Sequence, residues 1–121
     1  MIRRSRDMKE EVRENMRGGD GSVTIRHYFT KDEFTANARL CAKLVIPPGA
    51  GIGSHRHDTE DEVYIVTRGS GLLDDGTEEV RVAEGDAILT GNGGSHAVRN
   101  DGDEPFEMIA VIACYPEQPQ D

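Results

Sequence analysis

No stretch of the 121 residues approaches the roughly 18 consecutive apolar positions of a membrane helix, so no membrane span is expected. Basic residues are also scarce, with 14 Lys and Arg against 23 Asp and Glu and a formal net charge of -9. A surface this acidic lacks the basic face that neutralises phosphates. It therefore argues against nucleic acid as a partner and against docking on anionic lipid. Arg3, Arg4 and Arg6 open the chain, but no apolar segment follows them, so residues 1–20 do not read as a secretion signal. The two cysteines, Cys41 and Cys114, lie in apparent strands, and their spacing does not pair them. They are expected to be free buried thiols in a reducing cytoplasm, and a cytoplasmic location follows.

The length supports one domain with a core that needs no staples. Hydrophobic residues make up 36%, and the 14 glycines bring the chain near the usual ~45–50% apolar-plus-glycine level, which argues against global disorder. Residues 7–15, DMKEEVREN, carry charge at helical spacing with good helix formers and predict a short exposed helix within an N-terminal segment, 1–22, that is helical or extended. Arg17–Ser22 is a glycine-rich loop. From Val23 onward the signal is β. Val23, Ile25, His27 and Phe29 alternate with Thr24, Arg26 and Tyr28, and Leu40, Ala42, Leu44 and Ile46 alternate with residues that include Arg39 and Lys43. Short strands then recur between glycine turns, with a hairpin expected at Asp75-Gly76. The pattern predicts an all-β sandwich or barrel over 23–115 and a disordered tail over 116–121. After Glu107 the last strand is apolar on both faces, and a second copy of the chain in a homodimer is the simplest cover.

The chain has only four histidines, and three of them belong to one pattern. Gly49, His55, His57, Glu62 and Gly69 are separated by five, one, four and six residues. Gly85, Gly91, Gly93, His96 and Asn100 follow, separated by five, one, two and three. His55 and His57 share a strand face, and imidazole plus carboxylate suits a first-row divalent metal. Glu60 and Asp61 compete with Glu62 as the carboxylate, but only Glu62 keeps the six-residue gap to Gly69. His27 is expected to be structural or exposed, and Arg56 to point outward. Alternation makes Tyr64, Val98 and Met108 candidate pocket-lining residues.

These two motifs resemble those of the cupin family, except that Gly91 stands where proline is usual. The resemblance implies a cupin double-stranded β-helix, or jelly-roll barrel, with His55, His57, Glu62 and His96 as metal ligands. The metal would be one divalent transition ion, with Mn, Fe or Ni favoured and Zn a common occupant. Two open coordination positions would suit a small carboxylate or oxygenated molecule. That points to a metal-dependent enzyme of decarboxylase or dioxygenase type, or alternatively to a non-catalytic metal and ligand-binding or sensing module, with sugar isomerisation a lesser option. Glu14–Gly21 and the close-set motifs resemble small single-domain cupins described as oxalate-decarboxylase-like. Two-domain oxalate decarboxylases use an arginine beside the metal and a lid glutamate. No motif here places either, and strand parity directs Arg39 and Arg99 away from the lumen.

Overall fold

The computed structural model describes residues 1–116. The expected tail therefore lies, apart from Pro116, outside the described residues. The chain forms β1 (Lys9–Glu14), β2 (Ser22–Phe29), β3 (Ala38–Ile46), β4 (Gly51–His57), β5 (Glu60–Arg68), β6 (Ser70–Asp74), β7 (Glu79–Ala83), β8 (Ala87–Thr90), β9 (Gly94–Arg99) and β10 (Phe106–Cys114). Two antiparallel sheets result. One is six-stranded, in the order β1-β2-β3-β10-β5-β8, and the other four-stranded, β4-β9-β6-β7. This is the jelly-roll architecture the motifs imply. Among the described residues, no helix is long and apolar enough to cross a membrane.

Alternation along the strands builds the core. Val23 and Ile25 of β2, Ala42, Leu44 and Ile46 of β3, Tyr64 and Val66 of β5, and Phe106, Met108, Ala110 and Ile112 of β10 are all buried between the sheets. Ile52 of β4, Leu73 of β6 and Val98 of β9 meet them from the four-stranded side. Asn100 closes one end. Its buried side chain donates to the carbonyls of Ile46 and Glu104 at 2.9 and 2.7 Å and accepts from the amide of Gly102 at 3.0 Å. The Asp75-Gly76 turn joins β6 to β7 as a hairpin, as the sequence predicts.

The helix expected over residues 7–15 is not formed. Lys9–Glu14 pairs with β2 in unbroken register from Lys9↔His27 to Glu14↔Ser22. Pairing to the open edge of β2 overrides the helix propensity of these residues. Cross-strand ion pairs reinforce it, with Glu11 beside His27 at 2.9 Å and Glu10 beside Arg26 at 3.4 Å. Both cysteines are free, and both are half-buried rather than fully enclosed.

The last strand lies between β3 and β5 in the middle of the larger sheet. Its inward face is Met108, Ala110 and Ile112. Its other face presents Ile109 opposite Ile65 and Val111 opposite Val63, and Val63 in turn pairs with Leu89. Leu89 is 70% exposed and Ile65 40%. At the rim of this apolar face the Glu107 carboxylate accepts from Lys43 at 2.6 Å and from Arg68 at 3.1 Å. The hydrogen bond from Lys43 outweighs burial and, together with Arg68, holds the Glu107 carboxyl below its ordinary value. Its stabilisation is therefore complete above the unfolded carboxyl range and is lost as pH falls through the lower folded value. Glu107→Gln is expected to lower unfolding stability by about 1–2 kcal/mol near neutrality, because the partners are themselves half in solvent. In urea titrations the gap between the two proteins should close in acid; a gap that stays constant with pH would mean the carboxylate charge contributes nothing.

Candidate metal centre

His55 and His57 come from β4, His96 from β9 and Glu62 from β5, so the two sheets meet at this point. His55 sits directly opposite His96 in the β4–β9 ladder. The register of that ladder shifts between Ile52 and His55. The irregularity lets both Ile52 and His55 face inward although they are three positions apart. Strict alternation then carries the inward direction on to His57.

Four ligand-type atoms converge, one from each of His55, His57, Glu62 and His96, all within 4.8 Å of one another. Nε2 of His96 lies 3.0 Å from Nε2 of His57 and 3.0 Å from Nε2 of His55. Oε1 of Glu62 is 3.0 Å from Nε2 of both His57 and His96 and 3.9 Å from that of His55. His57, His96 and Glu62 are almost completely buried.

The opposite edges of His55 and His96 have partners of their own. Nδ1 of His55 donates to the carbonyl of Gly53 at 2.8 Å, and since a carbonyl only accepts, the neutral ring has a bare Nε2. Nδ1 of His96 meets Oγ1 of Thr90 at 3.0 Å. Nδ1 of His57 is 3.3 Å from Oε1 of Glu60, too poorly aligned for a hydrogen bond. Outer partners of this kind fix ring orientation in metal-binding histidines. Burial pushes the Glu62 carboxyl up, but the surrounding imidazoles of His55, His96 and His57 outweigh it and hold the group at about 2. Burial lowers His96 below the ordinary imidazole range against the opposing pull of Glu62. Near neutrality the set thus comprises a carboxylate and an uncharged imidazole at His96, with lone pairs directed at a common point.

These residues fit a cation. Glu62 Oε1 is buried without an aligned donor, and three imidazole nitrogens converge beside it. At metal–ligand bonds of ~2.1 Å, ligands at right angles lie ~3.0 Å apart and opposite ligands ~4.2 Å apart. Four of the separations are 3.0 Å, the spacing of ligands at right angles, and His55 and Glu62 stand 3.9 Å apart. A tetrahedral set would space all of its members near ~3.4 Å.

The cavity beside this group has a volume of about 130 Å³, and its lining includes His55, His57, Glu62, Tyr64, Arg17 and Arg39. Tyr64 stacks on His96, with ring centroids 4.8 Å apart and planes within 7°. Burial, together with the neighbouring Glu62 carboxylate, raises its phenol well above the ordinary value, so it stays protonated. Val98 lines a different hollow of about 540 Å³, and Met108 is buried in the core and lines neither. That larger hollow contains no histidine and lies on the far side of β4 and β9 along with Arg99, Asp101 and Glu79.

Other candidates have different partners. Glu60 receives both Nε and Nη2 of Arg39, at 2.5 and 2.8 Å. Asp61 accepts from the Tyr115 hydroxyl at 2.5 Å. A side chain at position 91 would have its Cβ 1.9 Å from that Asp61 oxygen and 3.0 Å from the Tyr115 hydroxyl. Glycine therefore replaces the usual proline because the space is occupied. Arg56 points outward to Asp58, and His27 pairs with Glu11. The parity argument was wrong for Arg39, which reaches the cavity rim through Glu60, and held for Arg99, which pairs with Glu79 outside. Sequence reasoning also missed Arg13 and Arg17, which the N-terminal segment brings to the cavity wall. The two glycines that follow Arg17 hinted at an unusual backbone there.

Comparison with known proteins agrees with this geometry. The chain is 38% identical over 112 residues to an oxalate-binding protein of Thermotoga maritima, covering 93% of each chain. A crystal structure of a predicted oxalate decarboxylase from the same organism superposes with a TM-score of 0.89 at 37% identity, covering 94% of this chain and 99% of the other. A Thermus thermophilus structure matches with a TM-score of 0.61 at 30% identity over 69% of this chain and 79% of its own. The model of the cupin domain matches residues 42–112, from the inward face of β3 to the end of β10, and with these motifs and this fold the chain belongs to the cupin family.

Proposed function

We propose that the protein holds one divalent transition metal on His55, His57, Glu62 and His96 and uses it to bind a small dicarboxylate of the oxalate class. The observation that carries this reading is the convergence of three imidazole nitrogens and one buried carboxylate oxygen that has no aligned donor. The ligand class is supported by the oxalate-binding relative, which matches nearly the whole chain. It is also supported by size, since a two-carbon diacid fits a cavity of about 130 Å³.

A divalent ion held by these four residues would supply Lewis-acid stabilisation of negative oxygen and leave coordination positions for ligand oxygens. Resemblance to the cupin family favours Mn, Fe or Ni, with Zn a common occupant. The chain's own residues do the rest. Gly53 and Thr90 hold the imidazoles in orientation, and the protonated Tyr64 hydroxyl adds a donor at the wall. Binding is favoured over turnover because, among the lining residues, the only carboxylate is Glu62, which is committed to the metal. A decarboxylase needs a further acid group for the proton that replaces carbon dioxide.

We also propose that the outer face of Ile65, Leu89, Ile109 and Val111 packs against a second copy in a homodimer. A central strand that is apolar on both faces supports this, as does the exposure of Leu89 at its edge.

Protein loaded with Mn(II) should contain one equivalent of metal and bind oxalate in calorimetry. His96→Ala should lose both, while remaining folded by circular dichroism. Oxalate binding that survives removal of the metal by chelation would contradict the site, and release of formate from oxalate would contradict the binding reading in favour of an enzyme. In light scattering, Leu89→Glu should shift a dimer toward the monomer mass; an unchanged mass would rule out this face as the contact.

A further inference from the structure

One buried polar atom beside the metal group lacks a partner. His57 is 1% exposed, and its Nδ1 makes no hydrogen bond among the described residues. A neutral imidazole carries its proton on one nitrogen. For Nε2 to face a cation the proton must sit on Nδ1, and a buried N–H without an acceptor is costly. An acceptor stands within reach, since Oε1 of Glu60 lies 3.3 Å away. The outer neighbours of His55 and His96 are a neutral carbonyl and a neutral hydroxyl. His57 is the one of the three histidines whose outer neighbour is a carboxylate, and a charged acceptor makes the stronger hydrogen bond and the more basic ligand.

The local chain puts Glu60 there. β4 ends at His57 and β5 begins at Glu60, so only Asp58 and Thr59 carry the chain from the smaller sheet to the larger one. The Gly93 amide donates to the carbonyl of His57 and the Tyr115 amide to that of Thr59, both at 2.9 Å, which fixes the connection. The carboxylate itself is gripped from a third strand. Arg39 of β3 donates through Nε to Oε2 at 2.5 Å and through Nη2 to Oε1 at 2.8 Å, and two such bonds fix the plane of the group. β10 lies between β3 and β5, so this pair reaches across a whole strand. The β3–β10 ladder is irregular at that point. Ile112 pairs with Leu40 and Ala113 with Ala38, which leaves Arg39 unpaired in the ladder. A bulge of this kind re-aims the side chain it carries, and here it turns Arg39 to Glu60 against the parity of its strand.

We infer that Glu60, clamped by Arg39 on the bulge of β3, is a positioning residue for the metal: it accepts a hydrogen bond from Nδ1 of His57 and thereby sets how tightly the site holds its ion. This rests on the metal reading above and is independent of the small acid that the site takes.

The test adds Mn(II) alone to the full chain freed of metal, with affinity read by competition against a chelator and metal-free stability by thermal unfolding. Glu60→Ala should weaken Mn(II) binding roughly 10–100-fold, the usual cost of losing the outer partner of a metal-bound histidine. Glu60→Gln keeps an oxygen acceptor without the charge and should recover part of that loss. Arg39→Gln should weaken binding by a smaller factor. It should add nothing in protein that already carries Glu60→Ala, because it acts only through that carboxylate. Metal-free Glu60→Ala should unfold close to the wild-type temperature, since the ion pair it loses is partly in solvent. Wild-type affinity in Glu60→Ala would overturn the inference, as would a loss that Glu60→Gln does not relieve or that Arg39→Gln deepens. If Glu60→Ala does not fold, wild-type affinity in Arg39→Gln overturns it in the same way. Failure of the wild-type protein to take up Mn(II) would instead overturn the metal reading, and the role of Glu60 with it.

Discussion

Everything in this structure is arranged around a cluster that cannot be satisfied by protein alone. Three imidazole edges and one carboxylate oxygen point at a single buried spot, and burying such groups unpaired is costly. The molecule already provides partners for the outer edges of His55 and His96 through Gly53 and Thr90, and sets the Glu60 carboxylate near that of His57. The inner edges lack complements. A cation would resolve the conflict and add to folding stability, since its ligands lie on strands of both sheets. Loaded in this way, the centre would act as a clasp between the six-stranded and four-stranded layers.

The larger sheet supplies rigidity as well as a ligand. β5 carries Glu62 and Tyr64 inward and pairs with β10 on one side and β8 on the other, where Thr90 orients His96. The Tyr115 hydroxyl joins Asp61 of β5 to the amide of Asn92, tying the loop before His96 to the strand that bears Glu62. Gly91 leaves the room for that connection. A position that departs from the family's pattern is in this way explained by a local contact, without any change to the metal group.

Much of this was legible in the sequence. Alternation identified β2 and β3, the glycine turns marked a barrel, and the spacing of His55, His57, Glu62 and His96 brought those residues together. What the sequence hid depends on long-range contacts. Lys9–Glu14 has the composition of a helix and became a strand because an open edge of β2 was available. The gap to Gly69 singled out Glu62 in the sequence, and the structure adds that Arg39 engages Glu60. Parity sent Arg39 outward, yet its pair with Glu60 brings it to the cavity rim. Arg17 lies in the Glu14–Gly21 stretch that resembles the small cupins, but its nearness to His55 arises from backbone contact at Gly19 and Gly53.

The central claim is that a divalent transition metal sits among these four side chains. X-ray absorption at the metal edge of protein purified from its native host measures this most directly. The account predicts one bound ion with imidazole outer-shell scattering and nitrogen and oxygen neighbours at ~2.1 Å. Protein that carries no transition metal, or a metal spectrum without imidazole, would contradict it.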